Sequence, residues 1–183
     1  MKKMPVLFVG HGSPMNVLDK ENPFNQNFSL ITQKFAKPKA ILMISAHWYS
    51  SRLQVTSGKH PEMIYDFYGF PDALYRQQYP VSGCPWLADE VCRLLPHARQ
   101  DPDIGLDHGV WTVLKPMFPD ADIPVVSLSL DASLSSAKHF AQAKLLRPLR
   151  EQGVLIVGSG NIVHNLQAFR PDAPPYGWAQ DFR

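Results

Sequence analysis

Short apolar runs with strand-like composition recur along the chain, and stretches of helical periodicity separate them. The strand-like runs cover residues 5–9, 40–46, 53–56, 125–130 and 154–157. The helix-like stretches cover residues 24–35, 86–95, 109–117 and 135–149. Because strands that alternate with helices are joined by crossovers, this order predicts an α/β fold: a single domain with a largely parallel or mixed central sheet and helices on both faces.

The composition excludes several classes of function. Of the 183 residues, 45% are hydrophobic and 19% are charged, which is typical of a globular protein and not of a disordered one. A formal net charge of +2, without any run of Lys or Arg, gives no basis for binding nucleic acid or a membrane. The apolar run at residues 6–9 is shorter than the roughly 7–15 residues of an export signal. We therefore expect one cytoplasmic domain spanning residues 1–183.

Residues 58–83 are rich in aromatic residues, proline and glycine, and helical periodicity is visible there only at residues 71–79. A long irregular segment inside a small domain is usually a functional loop. The alternative is a surface excursion whose aromatic side chains pack on one another. The residues alone leave both interpretations open.

Three histidines follow closely on predicted strands. His11 comes after the first strand, His47 after the second and His164 after the last. In open α/β sheets, ligands gather at the carboxyl ends of the strands, so these three side chains can converge on one small volume. Neutral imidazole is a good ligand for Fe, Zn and Cu. A single histidine beside a strand is more often structural, but the repeated placement favours a metal site.

His108 stands before a predicted helix, where a partly exposed histidine could transfer a proton near neutral pH. The alternative is a loop histidine at the start of that helix. Asp107 is its neighbour in sequence, but adjacent side chains need not meet, so no Asp–His pair is expected between these two. His60, His97 and His139 lie in polar or helical surroundings and are expected at the surface.

Serine-based catalysis finds little support in the sequence. Residues 158–160 (GSG) do not form the G-x-S-x-G turn that presents a nucleophile in many hydrolases. Ser13 is followed by Pro14, which lacks the backbone N–H that an oxyanion hole would use there.

Five sequence blocks together resemble the class III extradiol dioxygenases, and among these the branch of 4,5-DOPA dioxygenase type. The resemblance runs in the family's order from about residue 6 to the end of the chain. Its blocks are residues 10–14 (GHGSP), 44–48 (ISAHW), 65–71 (YDFYGFP), 106–111 (LDHGVW) and 158–165 (GSGNIVHN).

The resemblance implies an enzyme that opens the aromatic ring of a catechol such as L-DOPA to a muconic semialdehyde. It implies Fe(II) for catalysis, with Zn(II) in the purified protein, and His11, His47 and His164 as metal ligands. The implied catalytic residues are His108 and His164. His108 matches an active-site histidine that hydrogen-bonds substrate or dioxygen in the family, and His164 matches an acid/base residue in the wider superfamily. The partners would be a small-molecule catechol and O2, with no nucleic acid and no membrane, and a homo-oligomer is compatible with this interpretation.

Family members continue for several tens of residues beyond the point where this chain ends. That portion is expected to supply a helix, a last strand and a further histidine near the metal. We therefore expect a chain truncated at its C-terminus, and one alternative function is an inactive, metal-binding relative. A tetrapyrrole metal chelatase is the other alternative, since such enzymes also open with a strand followed by His-Gly-Ser, but the blocks around His47 and His108 argue against it.

Overall fold

The computed structural model describes residues 3–168, 170 and 173–182. Its strands, in chain order, are β1 (Val6–Val9), β2 (Ala40–Ser45), β3 (Tyr49–Ser50), β4 (Gln54–Thr56), β5 (Arg99–Asp101), β6 (Val125–Ser127), β7 (Leu130–Asp131) and β8 (Val154–Ser159). Its α-helices are α1 (Pro23–Thr32), α2 (Asp72–Tyr75), α3 (Pro85–Leu94), α4 (His108–Met117), α5 (Ser136–Leu145) and α6 (Gly177–Asp181). Short 3₁₀ helices cover Pro14–Leu18, Arg147–Gln152 and Leu166–Ala168.

The central sheet has the strand order β1-β8-β2-β6, and each neighbouring pair within it is parallel. Two small parallel pairs, β3 with β7 and β4 with β5, lie beside it. The predicted α/β fold is thus confirmed, with a central sheet that is wholly parallel across its described strands. No helix among the described residues is long and apolar enough to span a bilayer.

Helices cover both faces of the sheet, and this explains why the sequence of β2 is continuously apolar. Alternate β2 residues Ile41 and Met43 pack into a cluster that contains the α4 residue Val110. The residue between them, Leu42, packs into a second cluster that contains the α3 residue Val91. A parallel strand enclosed in this way needs apolar side chains on both of its faces.

Two predicted elements are each divided in the structure. The helix predicted at residues 135–149 ends at Leu145, and a 3₁₀ helix containing Pro148, which has no backbone N–H to donate, follows it. The strand predicted at residues 125–130 also ends early, at Ser127. The next backbone N–H groups have different partners: that of Leu128 donates to Met43, and that of Ser129 donates to Gln54. The chain thus leaves the central sheet at this point and joins the smaller pairs.

The aromatic-rich segment, residues 58–83, is mostly irregular. Its helix α2 is shorter than the stretch of helical periodicity at residues 71–79. Two contacts fasten it to α4: the indole Nε1 of Trp111 donates to the carbonyl of Ile64 at 3.1 Å, and the ring of Tyr65 lies 5.7 Å from that of Trp111. The base of the segment is closed by the Gly83 N–H, which donates to the Lys59 carbonyl at 2.8 Å. The segment is therefore held against the domain at both its middle and its base.

Gly83→Ala should destabilise the protein, because a Cβ at this position would overlap the backbone carbonyl of Gly58. Backbone cannot move aside as a flexible side chain does, so we expect the free energy of unfolding to fall by roughly 1–3 kcal/mol. Urea denaturation followed by circular dichroism measures this change.

Gly177→Ala is the matched control, since nothing lies within 4 Å of a Cβ built there. Its effect should stay within about 1 kcal/mol, because Ala is the better helix former. Equal losses in the two variants would contradict the steric explanation.

Candidate metal centre

The register of the central sheet brings His11 and His47 together. Strand β8 lies between β1 and β2, and its last residue, Ser159, is in register with both Val9 and Ser45. His11 and His47 each follow two residues beyond those positions, so they leave the sheet at the same level. Their Nε2 atoms are 3.2 Å apart.

Helix α4 adds a third histidine to this pair. Its first residue, His108, has its ring centroid 4.0 Å from that of His47 and 5.6 Å from that of His11. The helix can approach the strand ends this closely because residue 109 is a glycine; a Cβ there would lie 2.5 Å from Ser45 Oγ. One ring nitrogen from each of the three histidines lies within 4.8 Å of the others.

His164 lies beside this group rather than within it. Its ring centroid is 6.5 Å from that of His47, and its side chain is exposed. Of the predicted ligands His11, His47 and His164, the first two therefore meet with His108, while His164 is a neighbour. That His164 binds the metal stays a prediction.

His108 is buried, with 6% of its surface exposed, so the expectation of a partly exposed side chain was wrong. Phe67 from the aromatic-rich segment lies edge-on to its ring at 5.6 Å. Asp107 accepts a hydrogen bond from Ser45 Oγ at 2.6 Å. Among the remaining histidines, His60 and His97 are exposed as predicted. His139 is half-buried, and its Nε2 accepts from the Asp131 N–H at 3.1 Å.

Asp66 is the site residue that the sequence did not predict. Its Oδ1 accepts from both the backbone N–H and the ring Nδ1–H of His108, at 2.9 Å each. Its Oδ2 lies 3.4 Å from Nδ1 of His47. One signal was available: Asp66 is the lone acidic residue in the otherwise apolar and aromatic residues 63–71. Because a carboxylate can only accept, His108 carries a proton on Nδ1, and the neutral form of the ring has its lone pair on Nε2.

The site keeps His11 and His47 neutral. Burial, together with the nearby His47 and His108, lowers the pKa of His11 to about 4. The pKa of His47 is also lowered, first by burial and then by His108. Burial acts to raise the pKa of Asp66, but the hydrogen bonds from His108 outweigh it and the pKa falls below its usual range. At neutral pH the neutral imidazoles of His11 and His47 therefore lie near the carboxylate of Asp66.

This donor set fits a divalent transition metal. Neutral imidazole nitrogens that face one another across a short gap are suitable ligands for Fe or Zn. A carboxylate that holds the far side of a ring is the usual support for a histidine ligand. The neutral state of the histidines suits this purpose, because a protonated ring has no lone pair to offer.

Known proteins resemble this chain over nearly its whole length. The family model of the catalytic LigB subunit of aromatic ring-opening dioxygenase matches residues 5–182. A 4,5-DOPA dioxygenase extradiol from Escherichia coli (strain K12) is 44% identical over 98% of this chain and 68% of its own length. The enzyme of that name from Beta vulgaris is 40% identical over 86% of this chain and 61% of its own length.

A solved structure agrees with these sequence relatives. The crystal structure of an uncharacterised protein from Escherichia coli K12 superposes with a TM-score of 0.83 at 39% identity, covering 98% of this chain and 70% of that one. The chain thus spans about two thirds of the length of the relatives that it matches. The family match, the sequence relatives and the fold agree, and the protein belongs to the LigB family of extradiol aromatic ring-opening dioxygenases.

Proposed function

We propose that this chain is a metal-dependent extradiol dioxygenase that opens the ring of a catechol such as L-DOPA to a muconic semialdehyde. The observation that carries the proposal is the convergence of His11, His47 and His108, whose ring nitrogens lie within 4.8 Å of one another at the carboxyl end of the sheet. The names of the bacterial and plant relatives support L-DOPA as the first substrate to test.

We propose His11 and His47 as metal ligands and His164 as a third, with Fe(II) in the active enzyme and Zn(II) in the protein as purified. The short distance between the Nε2 atoms of His11 and His47, 3.2 Å, supports the first two. The position of the His164 ring beside that of His47 supports the third. A bound Fe(II) would supply one coordination sphere for catechol and dioxygen and a path for electrons between them.

His108 is proposed as the acid/base residue of the reaction. Asp66 holds a proton on Nδ1, so in the neutral ring Nε2 has the lone pair that would accept a proton from a catechol hydroxyl. The carboxylate of Asp66 would stabilise the imidazolium that forms. The same pairing fixes the direction of the ring, so the accepting atom keeps its position during proton transfer.

The aromatic side chains next to His108 are proposed to bind the substrate ring. Phe67 lies 5.6 Å from His108 and 6.1 Å from Tyr65, with both pairs nearly perpendicular. A catechol ring placed beside them would gain edge-to-face or offset contacts and would exclude water from the proton that His108 takes. The aromatic-rich segment thus contributes both a wall of the pocket and the carboxylate Asp66.

His11→Ala and His47→Ala should each abolish Fe(II) binding and oxygen uptake, because each removes a ligand from the centre. Oxygen consumption with L-DOPA is measured by electrode after anaerobic loading with Fe(II), and bound metal is measured by atomic absorption. His60→Ala is the control, since His60 is exposed and belongs to none of the described contacts of the site.

Unchanged turnover in the two ligand variants would refute the proposed function. Tight metal binding by the unaltered chain without oxygen uptake would favour the inactive, metal-binding relative. Metal insertion into a tetrapyrrole without oxygen uptake would favour the chelatase.

His108→Ala and His164→Ala should have different consequences. Loss of the acid/base residue should leave bound metal near one equivalent and reduce kcat by about 10²- to 10⁴-fold. Loss of His164 should reduce the metal content itself. The reverse result, with metal lost in His108→Ala and kept in His164→Ala, would make His108 the third ligand and remove His164 from the centre.

Asp66→Asn should weaken both metal binding and turnover by about 10- to 100-fold. The amide oxygen could still accept from His108, but the NH₂ group would then face Nδ1 of His47 and disfavour a proton there. Affinity is measured by competition with a chromophoric chelator. Asp72→Asn is the matched control, because Asp72 lies nearby in sequence with its side chain 89% exposed. Equal effects of the two substitutions would exclude the proposed role of Asp66.

A further inference from the structure

Two buried serines end neighbouring strands of the central sheet at the same level. Ser45 is the last residue of β2, Ser159 is the last residue of β8, and the two are in register with each other. Their exposed fractions are 0% and 2%. Buried hydroxyl groups are costly unless they form hydrogen bonds, so their partners indicate why serine stands at these positions.

Both hydroxyls bind the first turn of α4. Ser45 Oγ donates to Oδ1 of Asp107 at 2.6 Å, and Ser159 Oγ donates to the carbonyl of Gly109 at 2.6 Å. Ser45 Oγ also accepts from the His47 N–H at 3.2 Å. The paired strand ends thus hold the start of the helix that carries His108.

Ser159 makes a second contact, and the direction of that hydrogen bond can be deduced. Its Oγ lies 3.0 Å from Nδ1 of His11. A hydroxyl has one proton, and the carbonyl of Gly109 can only accept, so the Ser159 proton is committed to Gly109. Toward His11 the oxygen must accept. His11 therefore carries its proton on Nδ1, and its Nε2 keeps a lone pair directed at His47.

We propose that Ser159 is a positioning residue that selects the metal-binding tautomer of His11. The inference rests on the proposed metal site but concerns a residue outside the ligand set. Ser159 would act on His11 as Asp66 acts on His108. Each accepts a hydrogen bond from Nδ1 of its histidine and leaves Nε2 free. The carbonyl of Gly109 is an essential part of this arrangement, because it orients the serine hydroxyl away from the imidazole.

Without the Ser159 hydroxyl, neither tautomer of His11 would be favoured by that contact. Molecules with the proton on Nε2 would have to shift it before binding a metal there, and the ring would lose the hydrogen bond that fixes its orientation. Loss of such a supporting partner typically lowers metal affinity by about 10- to 100-fold. We expect Ser159→Ala to fall in that range.

The chain offers a matched control in Ser127. This serine ends β6, next to β2 in the same sheet, and is 1% exposed. Its Oγ has no hydrogen-bond partner among the described residues. Ser127→Ala therefore removes a buried hydroxyl from a strand end without removing a contact to a histidine, and Zn(II) affinity should stay within about twofold of the unaltered chain, well short of the loss expected for a supporting partner.

The test uses the metal-free full chain with ¹⁵N-labelled histidine at neutral pH. Imidazole ¹⁵N shifts report which nitrogen carries the proton, and the His11 signals are assigned by their loss in His11→Ala. We expect the Nδ1–H form of His11 to predominate in the unaltered chain and in Ser127→Ala, and a mixture of both forms in Ser159→Ala. Zn(II) affinity, measured by chelator competition, should fall only in Ser159→Ala.

A predominant Nε2–H form in the unaltered chain would overturn the proposal without reference to any variant. So would a folded Ser159→Ala protein with an unchanged tautomer and unchanged Zn(II) affinity. Failure of the proposed function gives a different result: no oxygen uptake with any catechol, while the tautomer and the effect of Ser159→Ala on Zn(II) affinity remain as expected.

Discussion

The parallel pairing of β8 with both β1 and β2 is the constraint on which the rest of the site depends. Because Ser159 is in register with Val9 on one side and Ser45 on the other, the two outer strands end at one level. His11 and His47 then need only two further residues each to meet above β8. A slip of one residue in either pairing would turn the strand's core side chains to the opposite face and separate the histidines.

The convergence of the histidines has an electrostatic consequence, since their imidazoles share a small volume in which His11 and His108 are buried. Burial and mutual repulsion lower the pKa values of His11 and His47, so protonation of these two rings is suppressed at neutral pH. Asp66 supplies a negative charge beside His47 and His108, and the hydrogen bonds from His108 keep its pKa low despite burial. The result is a centre rich in lone pairs with the carboxylate of Asp66 beside it, an arrangement suited to a divalent cation.

The sequence predicted the part of the site that follows from local order along the chain. His11 and His47 directly follow apolar strands, and parallel strands end at one edge, so their meeting could be expected from position alone. The contact between His108 and Asp66 could not be expected in this way, because Asp66 lies 42 residues away, in a part of the aromatic-rich segment that has no helical or strand periodicity. The burial of His108 depends on the same segment through Phe67. Loop packing is decided by tertiary contacts, and for that reason neither feature could be read from the sequence.

Two kinds of structure hold the site residues in place, the sheet and an irregular segment, and they differ in how readily they open. His11 and His47 are fixed by the hydrogen-bonded backbone of the sheet, and Ser159 and Ser45 tie α4 to the same strand ends. Asp66 instead depends on a segment that is fastened at Gly83 and at Trp111. Local opening of that segment costs less than unfolding the sheet, because irregular segments have fewer cooperative hydrogen bonds. Such opening would remove Asp66 from both His108 and His47, while the sheet would keep the backbone of His11 and His47 in place. The proposed proton transfer therefore depends on the order of the loop, whereas the proposed metal site depends on the order of both the sheet and the loop.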